Sequence, residues 1–74
     1  MISAEQLRAG RALVRITQED LADGAGTSVP TIKRWESGSG PISGNAITVA
    51  AVERFLANAG VEFIPFGVRL RTRD

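Results

Sequence analysis

Apolar residues recur at intervals of three and four along most of the chain, a spacing that predicts helices. The first helix is expected within residues 3–16, where the apolar stripe consists of Leu7, Gly10, Leu13 and Val14. Ser3, followed by Gln6 three residues later, is typical of a capping box and marks the beginning of this helix. Arg8 and Arg15 fall on a neighbouring stripe, which is typical of a solvated face.

Two shorter helices are predicted next. One begins after Thr17, whose hydroxyl caps it, and is ended by Gly26. Ser28 is expected to cap the following helix, residues 29–37, which carries Pro30 in its first turn, where backbone N–H groups lack intrahelical partners. The residues of these two helices that are expected to face the core are Leu21, Ala22, Ile32 and Trp35.

A segment rich in glycine and serine, residues 37–45, is predicted to be a loop. A fourth helix follows from about Gly44 to Ala59, and Gly60 ends it. Its apolar face is expected to consist of Val49, Val52, Leu56 and Ala59. The sequence therefore predicts an all-α fold of four to five helices, with residues 1–60 forming one domain.

Residues 61–74 change to the two-residue alternation of β-strands. Two short strands are predicted around a tight turn, with Pro65 at its second position and Gly67 in the left-handed conformation. One face of the second strand carries a row of arginines, Arg69, Arg71 and Arg73. An isolated hairpin is barely stable in water, so it must pack on the helices, pair with another chain or fray. The arginines could instead reach DNA, but pairing with a second copy of the chain is favoured.

The residue types that are missing narrow the possible functions. The 74 residues include no cysteine, histidine or tyrosine, which excludes a disulfide scaffold, a thiolate zinc site and a Ser-His triad. We therefore expect no metal, no cofactor and no catalytic residues. The apolar runs are too short to span a bilayer and the N-terminus lacks the apolar segment of a signal peptide, so a cytoplasmic protein without a membrane partner is expected.

Charge alone does not identify a partner. The formal net charge is +1, too small a total to indicate nucleic acid by itself, so the placement of the cations matters more. The two short helices that meet across residues 25–27 have the spacing of a helix-turn-helix, in which the second helix enters the major groove of DNA. Ala22 is small where the two helices cross, and Gly26 allows the sharp turn between them.

The segment TQEDLADGAGTSVPTIKRWESG, residues 17–38, resembles lambda-repressor-like helix-turn-helix domains of the xenobiotic-response-element type. The likeness extends over residues 3–60, and the ending AGVEFI with its basic strand is similar to that of small bacterial regulators. The resemblance implies a non-enzymatic transcriptional regulator in the cytoplasm, associated with the nucleoid. It also implies double-stranded DNA as a partner and a homodimer as the working form.

The resemblance implies roles for individual residues as well. The expected DNA contacts are Gln18, Ser28, Val29, Pro30, Thr31, Lys33, Arg34 and Asn45, the last from its place in the loop before the fourth helix, whose N-terminus suits a phosphate. Among them Arg34 has the forked donors that suit guanine, whereas Gln18 and Lys33 match contacts to phosphate. Arg11 and Glu36 match a structural pair that ties the first helix to the end of the third.

Some features depart from the family pattern. Arg15 stands where a glycine commonly ends the first helix, and Gly24 lies inside the second helix at a cost of about 1 kcal/mol relative to alanine. The loop before the fourth helix is poor in cations, and Val29 and Pro30 make the start of the third helix apolar. A second hypothesis therefore stays open: an antitoxin-like or other protein-interaction module that keeps the fold and binds DNA weakly or not at all. An enzyme is the remote third hypothesis.

Overall fold

The computed structural model describes residues 2–71. Within them, four helices precede one antiparallel hairpin: α1 (Ala4–Leu13), α2 (Gln18–Ala25), α3 (Val29–Glu36), α4 (Ala46–Asn58), β1 (Val61–Ile64) and β2 (Gly67–Leu70). The predicted fold, all-α with a short C-terminal hairpin, is confirmed. No helix in this part of the chain is long and apolar enough to cross a membrane.

Four helix ends differ from the prediction, one of them the end of α4, which is Asn58 rather than Ala59. Helix α1 stops at Leu13, because Val14 leaves the helical conformation and Arg15 is left-handed, with φ of 59°. Helix α3 stops at Glu36, one residue before the predicted end. Helix α4 begins after Asn45 rather than at Gly44, because the Asn45 Oδ1 accepts hydrogen bonds from the N–H groups of the second and third residues of the helix, at 2.9 and 3.3 Å.

The core lies where the four helices and β1 meet. Its largest fully buried side chains are Leu7, Leu21, Ile32, Val52, Leu56 and Val61. Trp35 adds the largest apolar side chain, 6% exposed, and its indole Nε1 donates a hydrogen bond to the Ser43 carbonyl oxygen at 2.8 Å. A buried indole N–H needs such a partner. Trp35 therefore anchors both the inner side of α3 and the loop that follows it.

The hairpin is part of this core. Val61 is 1% exposed, and it packs so closely on α1 that a Cβ at Gly10 would lie 3.3 Å from a Val61 methyl carbon. The ladder continues past β2, where the backbone N–H of Arg71 donates to the Gly60 carbonyl oxygen at 2.7 Å. Strand β1 therefore shares its core with the helices.

Gln6 links the beginning of α1 to the hairpin. Its Oε1 accepts from the Ser3 N–H at 2.9 Å, and its backbone N–H donates to the Ser3 Oγ at 3.0 Å, so the predicted capping box is present. The same side chain donates from Nε2 to the carbonyl oxygens of Ile64 and Gly67, at 2.8 and 3.0 Å. One glutamine thus caps a helix and fixes the turn end of the hairpin to it.

The turn of the hairpin differs from the prediction. Ile64 pairs with Gly67, which leaves a loop of only two residues, Pro65 and Phe66. The left-handed residue is Phe66, with φ of 63°, and not Gly67, which belongs to β2. Proline followed by a residue with positive φ is the pattern of a type II turn, whose third position favours glycine. A phenylalanine occupies that position here, and it is fully exposed.

Two arginines of the predicted row, Arg69 and Arg71, have hydrogen-bond acceptors within the protein. The Arg69 guanidinium makes a forked ion pair with the cross-strand Glu62, with both N–O distances 3.0 Å. Arg71 donates from its guanidinium to the Ala57 carbonyl oxygen at 2.9 Å, near the C-terminus of α4. Arg73 lies outside the described residues.

The N-terminal segment holds the loop between α3 and α4. Ala4 donates its N–H to the Gly40 carbonyl oxygen at 2.8 Å, and Ile42 donates to the Ile2 carbonyl oxygen at 3.1 Å. The Glu5 carboxylate accepts from the Gly40 N–H at 3.0 Å. Hydrogen bonds from its own backbone N–H and then from Gly40 lower the pKa of Glu5. The loop is therefore tied to the start of α1 along its length.

Gly24 has a packing role that the sequence did not reveal. A Cβ built at Gly24 would lie 2.0 Å from the Phe55 Cε1, inside the aromatic ring's van der Waals surface. Phe55 is half-buried and packs against the core from α4. The predicted cost in helix propensity is therefore only part of the role of Gly24, because its missing side chain also makes room for the ring.

We predict that Gly24→Ala lowers the free energy of unfolding by about 1–2 kcal/mol, because displacing the Phe55 ring outweighs the gain in helix propensity. In a Phe55→Ala background the same substitution should instead raise that free energy, by roughly 0.5–1 kcal/mol. Urea unfolding followed by Trp35 fluorescence measures both values. Equal stabilisation by alanine in the two backgrounds would contradict the packing.

Candidate nucleic-acid interface

Helices α2 and α3 are joined by a three-residue turn. Gly26 is left-handed, with φ of 72°, and the N–H of Thr27 donates to the Ala22 carbonyl oxygen at 2.9 Å. This bond, together with one from the Gly26 N–H to the Asp23 carbonyl oxygen, ends α2 in a Schellman motif. Ser28 then caps α3, with its Oγ 3.3 Å from the Thr31 N. The chain therefore reverses between two short helices with defined ends.

The inner side of α3 is buried and its outer side is open. Ile32, Trp35 and Glu36 are at most 6% exposed, which fixes the helix against the rest of the fold. The outer side presents the residues predicted as groove contacts: Pro30, Lys33 and Arg34 are exposed, and Val29 and Thr31 are half-buried. Within residues 2–71, the Lys33 and Arg34 side chains make no ion pair.

A buried carboxylate ties three helices together. The Arg11 guanidinium on α1 makes a forked pair with Glu36 on α3, with Nε–Oε2 2.8 Å and Nη2–Oε1 3.0 Å. Gln18, at the start of α2, donates from Nε2 to the same Glu36 Oε1 at 3.0 Å. Hydrogen bonding to Glu36 raises the pKa of Arg11, so the Arg11 guanidinium stays protonated throughout the neutral range. We call Arg11, Gln18 and Glu36 the Glu36 network.

Arg8 supports the same end of α3. Its guanidinium donates to the backbone carbonyl oxygens of Glu36 and of Gly38, the latter at 3.0 Å. These carbonyls belong to a helix C-terminus, where hydrogen-bond acceptors lack intrahelical partners and a cation is stabilising. Arg8 is exposed, as predicted for a solvated face, but its hydrogen bonds to the end of α3 were not predicted. The sequence contained one signal for this role. Arg8 precedes Arg11 by three residues, so the two side chains lie on the same side of α1.

Other predicted contacts already have partners inside the protein. Gln18 binds Glu36, which leaves its second amide hydrogen and the nearby N–H groups of α2 for a ligand. The hydroxyls of Ser28 and Thr31 lie 3.0 Å apart and bond to each other. Asn45 uses its oxygen to cap α4, and its side chain is otherwise exposed. These residues are accessible, but each also has a structural role.

Two hollows border the outer side of α3. One, of about 530 Å³, lies between the end of α1, the start of α2 and the α3 residues Val29 and Lys33. The other, of about 210 Å³, lies between Arg34 and the loop of residues 38–43. Within residues 2–71 there is no cluster of three or more carboxylates that could hold a metal ion. The chemical groups that a ligand can reach around this exposed helix are therefore cations, amides and backbone N–H groups.

This arrangement defines a helix-turn-helix protein. Residues 7–54 match the helix-turn-helix family model, from α1 to most of α4. The match covers well over half of the 74 residues, and the chain belongs to the lambda-repressor-like helix-turn-helix family, whose domains are DNA-binding regulators. No curated protein matches the sequence.

Replacing Arg11 with methionine should lower the free energy of unfolding by about 3 kcal/mol, because Glu36 would stay buried without its ionic partner. The same substitution at Arg69, in the exposed pair with Glu62, is the control and should have no measurable effect. Replacing Arg11 and Glu36 together by methionine should recover much of the loss. Urea unfolding measures all three variants, and equal stability of the Arg11 and Arg69 variants would rule out this role for the network.

Proposed function

We propose that the protein is a bacterial transcriptional regulator that binds double-stranded DNA in a sequence-specific manner, with residues 28–37 in the major groove. The observation that carries the proposal is the asymmetry of α3. Its inner side is fixed by Ile32, Trp35 and the Glu36 network, while Lys33 and Arg34 on its outer side extend to solvent. A rigid helix with free cations is what readout of a major groove needs.

Each outward residue has a role suited to its chemistry. Arg34 donates two parallel hydrogen bonds to guanine O6 and N7, while Val29 and Pro30 pack against a thymine methyl group. Lys33 binds a backbone phosphate. The remaining contacts to the DNA backbone come from Gln18, Ser28, Thr31 and Asn45. In this proposal residues 1–60 provide all of the DNA-binding surface.

We further propose that the hairpin, residues 61–74, joins two copies of the chain. It supports this role with two exposed apolar side chains, Phe66 and the half-exposed Leu70. A two-fold dimer would place two copies of α3 about 34–36 Å apart, one turn of the DNA helix. Bound at the nucleoid in the cytoplasm, such a dimer regulates transcription by occupying DNA, without catalysis and without a cofactor.

One observation favours a second function. The outward start of α3 is formed by Val29 and Pro30, which offer no hydrogen bonds to a base, and the loop of residues 38–45 contains no cation. An antitoxin-like module that binds another protein would use such a surface. The two functions differ in how they respond to salt, because counterion release makes DNA binding weaken steeply as salt increases.

Selecting bound duplexes from a random library should yield a consensus half-site. Arg34→Ala should reduce the preference for it by about 5- to 150-fold, since a forked guanine contact contributes about 1–3 kcal/mol. Arg54→Ala, which removes an exposed arginine on α4, is the matched control. Unchanged selectivity in the Arg34 variant would show that α3 does not read the base pairs. No affinity for any duplex at low salt would favour the protein-interaction module instead.

Phe66→Gly should weaken self-association while making the monomer more stable, because it removes an exposed ring and a side chain from a left-handed position. Sedimentation equilibrium gives the dimer dissociation constant, and thermal unfolding gives the monomer stability. Ile47→Ser, which removes an 81% exposed apolar side chain from α4, is the control. A dimer that the Phe66 variant leaves unaffected would not be held by the hairpin tip.

A further inference from the structure

Arg15 occupies a backbone position that favours glycine. Helix α1 ends in a Schellman motif, in which the Arg15 N–H donates to the Ala12 carbonyl oxygen at 3.2 Å and the Ile16 N–H donates to the Arg11 carbonyl oxygen at 3.1 Å. This geometry requires Arg15 to be left-handed, and its φ is 59°. Side chains with a Cβ are strained in that conformation.

The end of the next helix, α2, has a different type of residue at the corresponding left-handed position. Helix α2 ends in a Schellman motif too, and the left-handed position is taken by Gly26, with φ of 72°. Ending α1 therefore does not require an arginine. Strained backbone positions of this kind concentrate at functional sites, where the side chain is needed for another reason.

The Arg15 side chain has no partner in the part of the protein that the structure describes. It is exposed, and within residues 2–71 its guanidinium makes no hydrogen bond and no ion pair. It lines the hollow of about 530 Å³ together with Gln18, Val29 and Lys33, which are three of the predicted DNA contacts. The strain is thus combined with a free cation at the edge of the DNA-binding surface.

The charges around this hollow favour an anion. Arg11 also borders it, but its charge is compensated by Glu36. Of the remaining ionic groups, Arg15 and Lys33 are positive and Glu19 is negative, so the rim carries one net positive charge. The predicted contact of Lys33 is a backbone phosphate, and Arg15 borders the same hollow from the end of α1.

We propose that Arg15 binds a phosphate of the DNA backbone at the hollow it shares with Lys33. This inference rests on the proposed function. Arginine has the donor geometry for phosphate, and one such contact adds one released counterion to binding. In this proposal the strained backbone at Arg15 lowers the stability of the protein, while the Arg15 side chain raises its affinity for DNA. Replacing Arg15 should therefore raise the stability and lower the affinity.

Arg15→Gly tests the proposal in the full-length chain. Thermal unfolding should show a melting temperature raised by about 2–6 °C, because glycine relieves the left-handed strain. Titration with a short duplex of random sequence should show weaker binding and a salt slope smaller by about 0.9. Between 50 and 200 mM salt, the loss of affinity would therefore be about 3.5-fold smaller than for the wild type.

Three further variants separate the charge from the backbone. Arg15→Asn also tolerates the left-handed conformation and removes the charge, so it should bind as Arg15→Gly does. Arg15→Lys keeps the charge and should restore the wild-type slope. Arg54→Ala removes the same charge from a different hollow, lined by Gly24, Phe55 and Asn58, and should change the slope less.

A salt slope that is the same in Arg15→Gly and Arg54→Ala would overturn the phosphate contact while leaving DNA binding intact. If the wild type itself does not bind the random duplex at low salt, the proposed function fails and this contact fails with it. A rise in melting temperature without any loss of affinity would likewise overturn the contact, because the strain would then have no functional counterpart.

Discussion

The buried carboxylate of Glu36 is the constraint on which the rest of the structure depends. It is the one charged residue in the core of residues 2–71, at 6% exposed, and a buried charge is destabilising unless it is paired and hydrogen-bonded. Its partners come from two other helices, Arg11 and Gln18. Because these hydrogen bonds join α1, α2 and α3, the network orients the helix whose outer side faces solvent.

Around this network, a small domain gains order from side chains that link distant segments. Gln6 joins the first turn of α1 to the hairpin, and Trp35 joins α3 to the loop before α4. The hairpin contributes Val61 to the core. On its exposed face Arg69 pairs with Glu62 and lowers the pKa of Glu62. These links make the strands part of the scaffold that positions α3.

The sequence predicted what depends on neighbours within a few residues. Helical spacing and the capping residues identified the helices, and the turn at Gly26 identified the helix-turn-helix. What it missed depends on packing between distant segments: the Phe55 ring over Gly24, and the guanidinium of Arg8 on the end of α3. The hairpin turn was misplaced by one residue because strand register, which local composition does not specify, put Phe66 in the left-handed position.

The central claim is that the open side of α3 binds duplex DNA while the Glu36 network keeps its orientation. Two-dimensional NMR of the labelled protein, titrated with a selected duplex, tests it most directly. We expect the largest amide shift changes at residues 28–34 and at the start of α2, with the Arg11 side-chain signals preserved. Changes confined to the hairpin and α4, with residues 28–34 unaffected, would contradict the claim.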